Sequence, residues 1–255
     1  MGVRDIYRDR ASLGHIPVLR GQTLIETPYR LQLDANTYGL WWCNEGMGPT
    51  LLDKATTPHI GTISNPVWST DGPWGVGLDD AAGSLYADFG NYGDPGEGSL
   101  TVELVLDAYG MNTSGTMWGI SLAAKGGWGV TGWYLVIHDF AAGALQGKVA
   151  FGTSNGTEVT SRSTTVITDL HACYIVGVLD RATGKQRLFI NGVQEGADAD
   201  VSAASITSEY SMQLLSYIPP NPTTRYTGKA YLLRVSLAAR SSAEILTNAK
   251  LMGFV

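Results

Sequence analysis

The chain has 255 residues, with hydrophobic residues at 44% and charged residues at only 16%, the latter below the ~25% usual in soluble domains. A formal net charge of −6 argues against the concentrated Lys/Arg surface that nucleic acid requires. No stretch approaches the ~20 apolar residues needed to cross a bilayer as a helix. This length can bury one large core. The 32 glycines, 12 tyrosines and 7 tryptophans favour short strands joined by tight turns.

Residues 1–37 read differently from the remainder. Charges of both signs (Arg4, Asp5, Arg8, Asp9, Arg10) alternate with single apolar residues such as Ile6 and Tyr7. "GHIPVLRGQTLIETPYRLQL" follows, broken by Pro17 and Pro28. No periodicity lasts long enough for a helix or a self-contained core. The segment is expected to be an extended N-terminal arm, ordered only when something ties it down. Ile6, Tyr7 and Tyr29 are its candidate partner contacts, either filling pockets or adding a strand to an exposed sheet edge. A secretory apolar region is not visible in it, and the Ser/Thr expected for myristoylation is missing.

From Tyr38 onward the pattern is strand and turn. "SLTVELVLDAYG" sets Leu100, Val102, Leu104 and Leu106 on one face against Thr101, Glu103 and Val105 on the other. "GWYLVIHD", "GKVAFGT", "CYIVGVLD", "SMQLLSYI" and "GKAYLLRVSLA" follow at short intervals, bounded by Gly, Asp, Asn or Pro. In "RLFINGVQEG", Leu188 and Ile190 share a face and Phe189 takes the other. Asn191-Gly192 then supplies the two positive-φ positions of a type I′ hairpin turn. Many short strands with regular turn signals predict an antiparallel sandwich or barrel. Only the last element changes period. Ser241 and Glu244 have capping-box spacing, and Ile245, Leu246 and Met252 supply the apolar positions of a short docking helix.

Cys43 and Cys173 lie in apolar runs and are expected to be free core thiols. His171, two residues before Cys173, would share its face on a strand, yet two ligands do not close a zinc site. Glycoside hydrolysis requires two facing carboxyl groups. The strand pair of that kind is Glu103 with Asp107, expected to be an exposed strand face. His15, His59, His138 and His171 accompany no Gly-x-Ser-x-Gly elbow, so no catalytic residue is assigned. Trp128, in "KGGWGVTGW", sits among glycines rather than on a strand. An aromatic residue there suits stacking on a sugar or filling a partner's pocket, or folding back over the sandwich end. Of Trp133 and Tyr134 at least one should be core, and Trp41 and Trp42 should split between faces.

The order of segments resembles the laminin G-like branch of the concanavalin A-like jelly rolls. "GLWWCNEGMGPTLLDKATTPHIGTISNPVW" is similar to that family's opening strand, E-G-x-G turn and Asp-containing loop. "SLTVELVLD" and "LAAKGGWGVTGWYLVIHD" resemble later strands. "YIVGVLDRATGKQRLFINGVQEG" is the most specific match, and "YTGKAYLLRVSLAARSSAEI" resembles the closing strand and helix. The likeness covers residues 38–252. It departs at Ala172 and Cys43, where many members place aromatic residues.

The expected fold is therefore all-β, an antiparallel two-sheet jelly-roll sandwich over residues 38–255 with a short C-terminal helix and the arm at 1–37. The resemblance also implies a structural Ca²⁺ at a rim. "GLDDAAGS" offers Asp79 and Asp80, and "ADFGNYGDPGEG" offers Asp88, Asp94 and Glu97, oxygen ligands suited to a hard cation. No other cofactor is expected. The function expected is that of a non-enzymatic structural or interaction protein. A mainly extracellular family without a visible export signal suggests a virion component, either a capsid-decoration or a phage tail-associated protein. It would be made in host cytoplasm, displayed on the virion surface, and attached by its arm to other virion proteins or copies of itself. The alternative is an extracellular carbohydrate- or receptor-binding module. A polysaccharide-active enzyme is disfavoured for want of a carboxylate pair, and neither nucleic acid nor membrane is an expected partner.

Overall fold

The computed structural model describes residues 31–55, 57–72, 74–80, 85–108, 119–127, 129–138, 144–216 and 226–255. Two antiparallel sheets face each other. One runs β14 (Val193–Asp200), β13 (Lys185–Ile190), β12 (Cys173–Asp180), β7 (Leu100–Asp107), β16 (Lys229–Ser236), β5 (Gly75–Asp79) and β4 (Trp68–Gly72), with β1 (Thr37–Trp41) also paired to β16. The other runs β11 (Glu158–Val166), β10 (Lys148–Ser154), β9 (Gly132–Ile137), β8 (Ile120–Lys125), β15 (Gln213–Leu214), β6 (Tyr86–Asp88), β3 (Gly61–Ser64) and β2 (Thr50–Leu51). Helix α1 (Ser242–Leu251) follows the last strand. The sandwich read from the sequence is the fold observed.

Period-2 alternation decides what each strand buries. Leu100, Val102, Leu104 and Leu106 of β7, Ile175 and Leu179 of β12, and Leu188 and Ile190 of β13 enter the core between the sheets. Trp133, Leu135, Ile137, Val149 and Phe151 meet them from the other side. Gly177 makes room there, because a Cβ at that position would lie 2.4 Å from the Phe151 ring. Cys43 and Cys173 are free, fully buried thiols in this core. Trp133 and Tyr134 are both buried, and Trp41 enters the inter-sheet core while Trp42 packs against the opposite cluster.

The outer face of the first sheet is covered at its centre. Val105, Tyr174, Val176, Phe189, Tyr231 and Leu232 form a second apolar cluster there with Ile245, Ala249 and Met252 of α1. The helix starts at a complete capping box between Ser241 and Glu244, and it covers the β7 face that alternation alone leaves to solvent. The expectation of an exposed face at Glu103 is therefore corrected. Glu103 is fully buried and accepts hydrogen bonds from Arg234 Nη2 (2.7 Å), Asn248 Nδ2 (3.2 Å) and the Tyr174 hydroxyl. Arg240 Nε lies 3.0 Å from the same carboxylate, without the alignment of a hydrogen bond. Charge neutralisation by two buried guanidiniums makes burial of this acid tolerable.

The same cluster receives the chain just before β1. Leu31 is 1% exposed and packs with Leu40 and Trp74. Arg234 Nη1 donates to the Gln32 carbonyl (3.1 Å), and Arg240 Nη1 lies 2.7 Å from the Asp34 carboxylate. Ile6, Tyr7 and Tyr29 lie outside the described residues.

At the far edge of the sandwich, Glu195 on β14 reaches across to β11. Its carboxylate accepts from the Thr164 and Thr165 amides (2.8 and 3.1 Å) and both hydroxyls. One acid thus fastens the edge of one sheet to the edge of the other.

Candidate functional site

Antiparallel pairing gathers a set of loops at one end of the sandwich. Loop 89–99 joins the end of β6 to the start of β7, and loop 126–131 joins β8 to β9. The turns after β10 and β12, the segment leading into β15, and the start of β1 reach the same end. Gly90, Gly93 and Gly96 take positive φ in the first of these loops, which lets the chain fold tightly back on itself.

A buried lysine holds two of these loops together. Lys125, at the end of β8, is fully buried. Its ammonium donates to the Asn91 side chain and to the Tyr210 carbonyl (2.8 Å), with Asp94 at 4.0 Å. Burial lowers its pKa, and the Asp94 charge opposes that shift. Next to it, Trp133 Nε1 donates to the Gly93 carbonyl (2.9 Å). Loop 126–131 therefore leaves a rigid base. Gly126 and Gly132 bring its two ends so close that a Cβ on Gly132 would overlap the Lys125 carbonyl at 1.8 Å. Trp128 is carried by this loop and itself lies outside the described residues.

On the other side of loop 89–99 stands an aromatic stack. The Tyr38 and Tyr92 rings are 4.2 Å apart and 12° from parallel, and the His59 ring lies 3.4 Å from Tyr92. Tyr92 is buried, whereas Tyr38 is 37% exposed. The buried Asp53 carboxylate sets this corner by accepting from the Leu40 amide (2.9 Å), the Ala55 amide (2.8 Å) and the His59 amide (3.0 Å). Trp41 Nε1 donates to the His59 carbonyl (2.8 Å).

The residues singled out in the sequence are dispersed. Asp79 ends β5 and Asp80 follows it, at the end of the sandwich opposite Trp128's loop. Asp80 is buried and accepts from the Leu85 amide (2.9 Å). Asp88 and Asp94 hold turns, accepting from the Gly90 amide (2.7 Å) and the Gly96 amide (3.2 Å). Among the described residues no group of three or more His, Cys, Asp or Glu is gathered as a metal site. Asn191 and Gly192 have φ of +50° and +82° at the opposite end. Asn191 exchanges two hydrogen bonds with the Tyr174 backbone, 2.7 and 2.8 Å.

His171 and Cys173 do not share a face as alternation suggested. His171 is exposed ahead of β12, while Cys173 is buried at its start. Burial, assisted by Asp107, pushes the Cys173 thiol up to about 12, which keeps it protonated and un-nucleophilic. Glu103 is committed to Arg234, so it does not face Asp107 across an open groove.

Sequence reasoning missed Tyr38, Tyr92, Asn91 and Lys125 and noted His59 only as a loop histidine. The available signal was the tyrosine set between glycines in "FGNYGDPG". Its stacking partners lie 33 and 54 residues away, where no local pattern connects them.

No family model matches the chain, and no curated protein matches it. Solved structures do. Domain 4 of AbnA, a GH43 extracellular arabinanase from Geobacillus stearothermophilus, in complex with arabinotriose, is 13% identical with a TM-score of 0.60, over 84% of this chain and 98% of that one. The receptor binding domain of botulinum neurotoxin D is 10% identical with a TM-score of 0.60, over 84% and 52%. The binding domain of botulinum neurotoxin DC in complex with SialylT is 9% identical with a TM-score of 0.58, over 85% and 51%. The chain spans about half the length of these toxin domains. At such identities the likeness establishes the β-sandwich fold.

Proposed function

We propose that the protein is a non-catalytic binding module that takes a glycan, or a glycan-bearing receptor, at its loop-rich end. The observation that carries this reading is the Lys125 clamp. It fixes the base of the loop bearing Trp128 to loop 89–99, so an aromatic contact would be presented at little ordering cost. Two similar structures were solved with arabinotriose and with SialylT, which supports a sugar as ligand. The absence of a facing carboxylate pair at Glu103 and Asp107 supports binding without hydrolysis. An extracellular or particle-surface location suits this function. A glycan array probed with the full chain tests it: binding to a defined set of sugars, weakened by Trp128→Ala, is expected. An array without signal would sink the proposal.

The second reading is attachment within a virion, as a capsid-decoration or tail-associated protein. Leu31 and Asp34 favour it: the chain is anchored there by burial and by Arg240, with thirty residues preceding the anchor. Mass-spectrometric inventory of purified particles from the source should then find this chain in fixed stoichiometry with other virion proteins. A structural Ca²⁺ at Asp79 and Asp80 belongs to either reading. If it is bound, chelation lowers the melting temperature, and Asp80→Ala removes that response.

A further inference from the structure

We infer that the exposed Tyr38 ring, backed by Tyr92 and His59, is a stacking platform for a neutral sugar ring. This inference rests on the glycan-binding reading above. The Tyr38 ring is held nearly parallel to Tyr92 at 4.2 Å and 12°, and the residue remains 37% exposed. A fixed aromatic face suits the C–H face of a sugar, because its area is large and its freedom already restricted. The Tyr92 hydroxyl donates to the Tyr38 carbonyl. The Asp53 carboxylate and Trp41 Nε1 hold the His59 backbone from both sides.

Two polar side chains adjoin Tyr92 at this corner, His59 through its ring and Asn91 as the preceding residue, and donor–acceptor chemistry fixes the orientation of each. His59 Nδ1 lies 2.9 Å from the Thr57 carbonyl. A carbonyl only accepts, so Nδ1 carries the proton, and in that tautomer Nε2 is an acceptor. The exposed Asn91 turns its side-chain oxygen to the Lys125 ammonium. An ammonium only donates, so the Asn91 amide nitrogen is left as a donor. An acceptor and a donor on the same aromatic corner suit the hydroxyls of a sugar. The two charges that bond to this corner, Lys125 and Asp53, are already engaged. Lys125 is buried against Asn91 and Tyr210, and both Asp53 oxygens accept backbone amides. The chemistry therefore fits a neutral sugar better than a sialylated or uronic one.

The test is isothermal titration of the full chain with arabinotriose and a panel of neutral trisaccharides, beside their sialylated counterparts. Neutral sugars should bind, Tyr38→Ala should weaken them about tenfold, and Tyr38→Phe should retain them. Asn91→Ala should weaken binding and, by taking a partner from the buried Lys125 ammonium, also lower the melting temperature. If Tyr38→Ala binds as the parent does while Trp128→Ala does not, the platform is wrong and the glycan reading survives. Preference for sialylated sugars overturns the neutral class, and binding of no sugar overturns both.

Discussion

Glu103 shows how much one residue can depend on partners far away in the chain. Its carboxylate is fully buried between Arg234 and Arg240, so removing it takes the buried counter-charge from Arg234 and leaves Arg240 with Asp34 alone. Glu103→Ala should therefore destabilise the fold by about 3–5 kcal/mol, measured by urea unfolding. Asp34 closes the same network from outside. Burial alone would raise its carboxyl, but the Arg240 hydrogen bond and charge, with Thr37 and the Asn36 amide, outweigh this and hold it at about 2. A depressed folded-state pKa contributes stability above the ordinary carboxylate value near 4, and that contribution is lost as pH falls toward 2. At 41% side-chain exposure the gain is reduced by solvent screening. Asp34→Asn should lower the melting temperature at pH 7, and the gap from the parent should close near pH 2. A gap independent of pH would show that the ion pair is not its source.

At the scale of elements, the β13–β14 hairpin and α1 support each other. Positive φ at both Asn191 and Gly192 places the turn directly beneath the helix. A Cβ on Gly192 would come 2.8 Å from Ala249 Cβ. Gly192→Val combines left-handed strain with that collision and should cost about 1–3 kcal/mol. Ser241→Ala removes one half of the capping box and should cost about 1 kcal/mol. Thermal melts of both variants and the double mutant would show whether the losses exceed their sum. Coupling is expected, since α1 packs on the turn that Gly192 forms.

For the whole molecule, the question is how much of the N-terminal segment the sandwich needs. Leu31 lies in the cluster under α1, and Gln32 and Asp34 bond to Arg234 and Arg240. Deleting residues 1–30 should leave the melting temperature unchanged. Deleting residues 1–36 should lower it, because Leu31 and the Asp34 pair go with them, with burial of one leucine worth about 1.5–3 kcal/mol. Equal melting temperatures for the two truncations would keep the boundary of the arm at residue 37, whereas a loss on the longer deletion alone would draw it back to residue 30.

The sequence by itself determined the all-β sandwich, its hairpins and its capped terminal helix. These follow from signals spanning a few residues: the alternation of "SLTVELVLD", the Asn191-Gly192 pair, and Ser241 three residues before Glu244. Tertiary structure alone decided which faces are buried twice and which side chains form a surface site. Alternation gives Glu103 a side of the strand, but only α1 and Arg234, more than a hundred residues later, make that side interior. The Tyr38, His59 and Tyr92 stack likewise joins strand β1 to two loops through sheet pairing and the Asp53 carboxylate. Contacts of that range have no period in the sequence, so they are legible only once the chain is folded.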